Sequence, residues 1–335
     1  MSTLYISQQD AVLRKVDERL KVTVQKDQIL DVPMIKVSQV VLYGRVTVTA
    51  ATVEALLEHQ IDLCYLTQHG KFLGRLEPDF SKNALLRRAQ HQAASDKTRC
   101  LQFAKAFVDG KLRNMRTWLM RLNRKLDAPS AALENAANRI KLASDALESA
   151  NTLDQVRGHE GEGSAAYFAV FNELLKSEEF SFEKRVRRPP TDPINSLLSF
   201  GYTLLMNDIA SAVKIVGFDP YVGYLHADRY GRPSLPLDLM EEFRPVIVDS
   251  VVVTAINKGD VTRRDFEEEL GGVFRLTPEG RLKFLRLYEE RKTTEFKHPV
   301  LQQKMTYRHC FEQQARFLAK TLQGELEQYP PFLIK

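Results

Sequence analysis

In the first 80 residues, apolar and β-branched positions come in short runs at residues 13–16, 20–24, 29–32, 39–43 and 61–66. Runs this short, punctuated by turn pairs such as Lys26-Asp27 and Tyr43-Gly44, have the composition and spacing of strands. One helix is expected among them, with Thr49 or Thr52 as its N-cap and Val53, Leu56 and Leu57 on its buried side. This part ends near Pro78. From about Ser81 the period lengthens to that of a helix, with Leu85, Phe103, Phe107, Leu112, Leu119 and Leu122 opposite the basic positions. Residues 128–150 are Ala-rich and helical. Asp192-Pro193 caps a long apolar helix, and a Gly- and Pro-rich loop over residues 218–236 precedes further helices. No repeat of fixed period is present. The expected fold class is α+β: a small, mostly β domain over residues 1–80, followed by a larger all-α domain over residues 81–335.

Composition narrows the class without changing that picture. At roughly 100–200 residues per domain, 335 residues fit about two domains. With 44% hydrophobic and 27% charged residues, disordered, collagen-like and low-complexity classes are excluded. Cys64, Cys100 and Cys310 are odd in number, far apart and without metal-knuckle spacing, which points to a reducing compartment. The apolar run over residues 246–256 is too short to cross a bilayer and carries Asp249 in its middle. The opening MSTLYISQQD lacks the charged-then-apolar pattern of a signal peptide. The expectation is a cytoplasmic protein without a membrane partner.

Charge distribution says more than its total. The 48 Lys plus Arg against 43 Asp plus Glu give only +5, but residues 82–125 hold 12 basic side chains against Asp96 and Asp109 alone. A basic segment in a near-neutral chain is the footprint of a protein that tracks a phosphate backbone, and equally that of a solvated helix face.

Three places frame metal-ligand residue types with Gly or Pro. In Arg157-Gly158-His159-Glu160-Gly161-Glu162-Gly163, the two glutamates are two apart and point in different directions on a helix, so only one faces a given site. Acidic residues favoured by a helix N-terminus are the alternative reading. His226 ends Asp219-Pro220-Tyr221-Val222-Gly223-Tyr224-Leu225-His226, ahead of the turn Tyr230-Gly231-Arg232-Pro233; a structural histidine fits there too. In Leu237-Asp238-Leu239-Met240-Glu241-Glu242-Phe243-Arg244-Pro245, the i, i+3 spacing puts Asp238 and Glu241 on one helix face. Paired carboxylates with a histidine can hold a hard divalent cation such as magnesium or manganese, although a solvated acidic face has the same spacing. Lys184, Arg185, Arg187 and Arg188 before Pro189-Pro190 form either a phosphate-gripping loop or a plain surface loop. Asn195 and Ser199, i, i+4 on the next helix, can point into one cavity.

Taken in order, these strings resemble one family, CRISPR-associated protein 1. The resemblance lies in the R-G-x-E-G string at Arg157 with Tyr167-Phe168 beyond it, in Pro189-Pro190-Thr191-Asp192-Pro193-Ile194-Asn195 running on to Tyr202, in the Gly217 to His226 string, and in Leu237 to Pro245. Lys111-Leu112-Arg113-Asn114-Met115-Arg116 and Thr277-Pro278-Glu279-Gly280-Arg281 are similar to two further family strings. The resemblance runs from about residue 105 onward; the first 80 residues match the family's β domain in length and character only. His159 and Gly163-Ser164 depart from the commonest pattern.

By position, the resemblance implies metal ligands Glu160, His226 and Glu241, with Asp238 as the neighbouring acidic residue and magnesium or manganese as the metal. It implies a DNA endonuclease and integrase that transfers a 3'-hydroxyl of a short donor duplex onto a phosphodiester of a CRISPR array. Arg87, Arg88, Lys111, Arg113, Arg116, Arg121, Arg124, Lys184, Arg185, Arg187 and Arg188 would contact phosphates of double-stranded and branched DNA, with Asn195 and Ser199 supporting the site. The implied partners are a second copy of the chain, joined through the β domain, and CRISPR-associated protein 2. The rival expectation is a catalytically idle, DNA-binding structural subunit of the same assembly.

Overall fold

The structure, a computed structural model, describes every residue except Met1, Lys26, His69, Lys71, residues 77–82, Asp127, Arg188, Asp228 and Leu270. The turn at Lys26, the boundary near Pro78 and Ser81, and Arg188 therefore lie outside the described residues. The chain divides into two compact units, Met1–Phe80 and Ser81–Lys335.

The first unit contains β1 (Ser2–Ile6), β2 (Ala11–Val16), β3 (Arg19–Val24), β4 (Asp27–Pro33), β5 (Val37–Tyr43), β6 (Val46–Val48), α1 (Ala50–Glu58), β7 (Asp62–Leu66) and β8 (Phe72–Leu76). One sheet has the order β1-β5-β7-β8, with β5 parallel to both β1 and β7. The other has the order β4-β3-β2-β6 and is antiparallel except for the pair β2 and β6. Alternation along β2 and β3 buries Ala11, Leu13, Leu20 and Val22, which join Val40, Leu42 and Leu63 in one core. Thr49 is the N-cap of α1. Thr52 is buried inside the helix, where its hydroxyl takes the Lys15 N–H at 2.6 Å. Ala55 and Leu56 face the core, whereas Val53 and Leu57 are only half-buried, so the inward face is turned slightly from the expected one.

The second unit begins with α2 (Ala84–Ser95), α3 (Lys97–Asn123), α4 (Ala131–Ala146) and α5 (Leu153–Ala169), and continues with α6 (Pro193–Val216), α7 (Ser234–Leu239) and α8 (Ser250–Asn257). The strands β9 (Phe266–Glu269) and β10 (Val273–Leu276), helix α9 (Pro278–Thr293), strands β11 (Glu295–Lys297) and β12 (Lys304–Thr306) and helix α10 (Tyr307–Leu322) complete it. It is helical but not all-α: β9 pairs with β10 and β11 with β12 as two-stranded antiparallel ribbons. Caps fall where hydrogen-bond chemistry puts them. Asp192 accepts the Asn195 N–H at 2.8 Å to start α6, and Thr152 and Gln155 form a capping box on α5. On α3, Phe103, Phe107, Leu112 and Leu119 are buried as expected and Leu122 is half-buried. On α2 it is Leu86 that turns inward, leaving Leu85 70% exposed. After α10, the segment from Tyr329 onward folds back, and its buried Phe332 stacks on Phe243 with ring centroids 5.0 Å apart. No helix among the described residues is long and apolar enough to cross a membrane.

Candidate functional site

Three pieces of the second unit converge on one cavity of about 390 Å³: the middle of α5, the loop before α7, and the turn after α7. Helix α5 starts at Leu153, so the glycine-rich string lies inside the helix and not at its N-terminus. A Cβ on Gly163 would stand 2.3 Å from Leu112 Cδ2, so glycine there lets α5 close onto α3. That approach brings Glu160 to Lys111, while Glu162 remains exposed. The expected single helix over Leu237 to Pro245 is broken instead. Helix α7 ends at Leu239, Met240–Phe243 is a tight 3-10 turn, and Arg244–Asp249 is a π-helical turn beginning beside Pro245, which has no N–H to give. Glu241, in the tight turn, is only 4% exposed.

Asp238 does not present its carboxylate to the cavity. It is fully buried: Oδ2 accepts the N–H groups of Tyr224 at 2.6 Å and Leu225 at 3.0 Å, and Oδ1 accepts the His226 N–H at 3.0 Å. The loop can press this closely because a Cβ on Gly223 would stand 2.7 Å from Asp238 Oδ2. Asp238 Oδ1 also lies 2.6 Å from His226 Nδ1. A carboxylate at Nδ1 favours the tautomer with its proton there and leaves Nε2 as the acceptor, 3.9 Å from Glu241 Oε1. Asp238 therefore spends its carboxylate on the backbone of the His226 loop and on the His226 ring.

Lys111 departs furthest from expectation. Instead of facing DNA from the helix surface, it is 4% exposed, and its ammonium spans Glu160 Oε1 and Glu241 Oε2, the latter at 2.8 Å. Ser164 Oγ donates to the same Glu160 oxygen at 2.8 Å, and Arg244 Nε lies 3.0 Å from Glu241 Oε1. Burial alone would raise the Glu241 carboxyl, but the Arg244 and Lys111 charges outweigh it and bring it down to about 2. Glu160 is pulled the same way, chiefly by Lys111, against burial and the Glu241 charge. Burial works against the Lys111 charge too, but the two carboxylates raise it above the usual lysine range. With the ammonium between them, no three His, Cys, Asp or Glu side chains among the described residues close on one metal position.

Five arginines line the cavity as well, Arg157, Arg187, Arg229, Arg232 and Arg244, together with Leu225 and Ala227. Arg157 donates from Nε and Nη2 to the Leu225 carbonyl, at 3.0 and 2.7 Å, and so ties α5 to the His226 loop. The Arg244 guanidinium lies 4.6 Å from the Tyr202 ring centroid. The Tyr202 hydroxyl donates to Asp249 at 2.6 Å and Tyr167 adds a second bond at 2.9 Å, while burial pushes the Asp249 carboxyl up to about 6. Burial and then the neighbouring Arg229 hold Arg232 below the usual guanidinium range, as crowded cations do.

The other expected phosphate contacts scatter. Among the described residues of that set, only Arg187 lines this cavity. Arg113 and Arg116 border a separate groove of about 560 Å³ between α3 and α4, where Asp109 sits 3.3 Å from Arg113 Nη1. Arg88, Arg121, Arg124 and Lys184 are exposed and Arg87 is half-buried. Arg185 turns inward, with Nη1 donating to Asn195 Oδ1 at 2.7 Å and Nη2 to Ser199 Oγ at 3.0 Å. Asn195 and Ser199 thus anchor the basic loop by holding Arg185. Four residues that build this site, Arg157, Arg229, Arg232 and Arg244, were not singled out from sequence, although Arg157, Arg232 and Arg244 sit inside the strings that were.

Fold and site define a class: a two-unit α+β protein whose helical unit seats two carboxylates and an oriented imidazole in an arginine-walled cavity. Residues 4–290 match the family described as "CRISPR associated protein Cas1". A "CRISPR-associated endonuclease Cas1" of Thermus thermophilus is 41% identical, over 100% of this chain and 98% of that protein. The structure titled "Casposase bound to integration product" has a TM-score of 0.87 at 23% identity, covering 100% of this chain and 95% of the other. The Cas6-RT-Cas1–Cas2 complex has a TM-score of 0.81 at 25% identity, covering 100% of this chain and 36% of the other. The chain belongs to the Cas1 family.

Proposed function

We propose that this chain is a metal-dependent DNA endonuclease and integrase of CRISPR adaptation. The reading rests on Glu160 and Glu241 meeting at a place already filled by a cation, with His226 Nε2 3.9 Å from the other Glu241 oxygen. Oxygen donors with one imidazole suit magnesium or manganese, and a spot that stabilises a buried ammonium between two carboxylates has the charge a divalent ion needs. Glu160, His226 and Glu241 would hold that ion. When bound, it polarises the phosphodiester and offsets charge that develops on the leaving oxygen.

The chain's own residues do the rest. Asp238 fixes the His226 ring, Arg244 fixes Glu241, and Arg157 fixes the loop that carries His226. Arg187, Arg229 and Arg232 hold the phosphates of the target strand without reading bases. In the integration direction, the donor 3'-hydroxyl forms a new P–O bond as the target's P–O bond breaks, and the departing oxygen takes up a proton as the target's new 3'-hydroxyl. Holding hydroxyl and phosphate in line makes the step effectively unimolecular. The same site with water as nucleophile cleaves DNA. We further propose that two copies pair through the first unit and join Cas2, the partner named in the Cas6-RT-Cas1–Cas2 complex that this chain resembles.

The Lys111 ammonium between the carboxylates favours a second reading, a DNA-binding subunit whose carboxylates serve structure alone. Labelled branched and repeat-containing DNA incubated with the protein and Mn²⁺, Mg²⁺ or EDTA separates the two. Strand cleavage and joining with either metal and none with EDTA are expected. DNA binding without metal-dependent products, even with Cas2 added, would establish the structural subunit instead.

A further inference from the structure

We infer that Lys111 is a built-in competitor for the metal: its ammonium keeps Glu160 and Glu241 seated in metal-free protein and must leave before a divalent ion can enter. This rests on the proposed metal site and adds a residue that controls it. The two cations compete for the same pair of carboxylates. The ammonium already bridges Glu160 Oε1 and Glu241 Oε2, the two carboxylates expected to hold the metal. A divalent ion within contact of the same oxygens would face the ammonium, itself only 4% exposed, at close range, where like charges repel.

Lys111 therefore acts on metal affinity through the fraction of molecules in which it has withdrawn. Apparent affinity is the intrinsic affinity reduced by that fraction. The carboxylates do not depend on Lys111 alone for their position, since Ser164 holds Glu160 at 2.8 Å and Arg244 holds Glu241 at 3.0 Å. Removing the ammonium should leave the ligands in place and the metal position open. Such a lysine keeps two buried carboxylates paired while metal is absent and makes metal loading a displacement.

Titration of Mn²⁺ into the full chain, followed by the manganese electron paramagnetic resonance signal, tests this with wild type, Lys111→Met and Lys111→Gln. The expected result is binding about tenfold to a hundredfold tighter in both variants. Equal or weaker binding in both would overturn the inference and leave the metal site standing. Absence of binding in wild type and both variants would overturn the metal site and the inference with it. Wild-type protein gives a second readout that does not depend on a variant folding: acetylation of Lys111 by an amine-reactive reagent, read by mass spectrometry. Lys111 should be protected without metal and modified faster with saturating Mn²⁺; identical protection in both conditions would overturn the displacement.

Discussion

Replacing Glu241 with glutamine is expected to slow metal-dependent DNA cleavage by about a thousandfold or more while leaving most DNA affinity intact. The substitution keeps the side chain's volume and one carbonyl oxygen but removes the charge that faces both Lys111 and the Nε2 edge of His226. In the proposed function, phosphate gripping falls to Arg187, Arg229 and Arg232 rather than to Glu241, so binding and chemistry are expected to separate. Glutamine is a cleaner probe than alanine here, because Glu241→Ala would strand two buried cations, Lys111 and Arg244, at a cost of about 3–5 kcal/mol and confuse folding with catalysis. Gel-shift affinity and single-turnover cleavage on one branched substrate would be read side by side. Near-wild-type cleavage in Glu241→Gln would remove Glu241 from the ligand set.

Phe332→Ala is expected to cause the largest loss of stability, about 3–5 kcal/mol, which for a unit of this size lowers the melting temperature by about 10 °C. Phe332 is 1% exposed and packs on Phe243, Phe296 and Tyr307. Its backbone extends the effect: its N–H donates to Glu242 Oε2 at 2.6 Å, and its carbonyl accepts from Asn114, which also bonds the Glu242 carbonyl. Burial pushes the Glu242 carboxyl from 4.5 up to about 8 against the pull of the Tyr329 hydroxyl, the Phe332 N–H and the Gln314 amide. A carboxyl raised on folding contributes stability that is fully present below its unfolded value and is lost as pH climbs through its folded value. In wild type this group therefore lowers the melting temperature between about pH 4.5 and pH 8. Loosening Phe332 lets water reach Glu242 and flattens that slope, so the gap between variant and wild type should be wider at pH 5 than at pH 8. A gap that widens with pH would contradict the assignment of Glu242.

Strand and helix positions were legible where a local pattern sufficed. The runs at residues 13–16, 20–24, 29–32, 39–43 and 61–66 became β2, β3, β4, β5 and β7. The strands β1 and β6 were not read, because they become strands by pairing with residues distant in sequence, on β5 and β2; β8, which pairs with the neighbouring β7, was not read either. The ribbons β9–β10 and β11–β12 pair locally and were missed because strands of three or four residues are too short to show a period. At the site, the strings holding Glu160, His226 and Glu241 were visible, but the work of Asp238 was not, since a carboxylate spaced i, i+3 from another looks the same whether it faces a cavity or a loop backbone.

Lys111 was misplaced by counting charge along the chain without asking which face each residue occupies. It stands four residues after Phe107 and four before Met115, both buried, so helical spacing puts it on the apolar stripe of α3. A lysine on such a stripe needs a buried anion, and that signal was in the sequence. Arg185 offered none: four basic residues before Pro189 look alike, and only the fold shows that this one turns toward Asn195 and Ser199.

Anomalous diffraction at the manganese edge, from crystals of the full chain soaked in Mn²⁺, tests the metal site most directly. The expected map holds a peak bounded by Glu160, His226 Nε2 and Glu241. A saturating soak that gives no peak there, or one held by other residues, would contradict the site and with it the proposed chemistry.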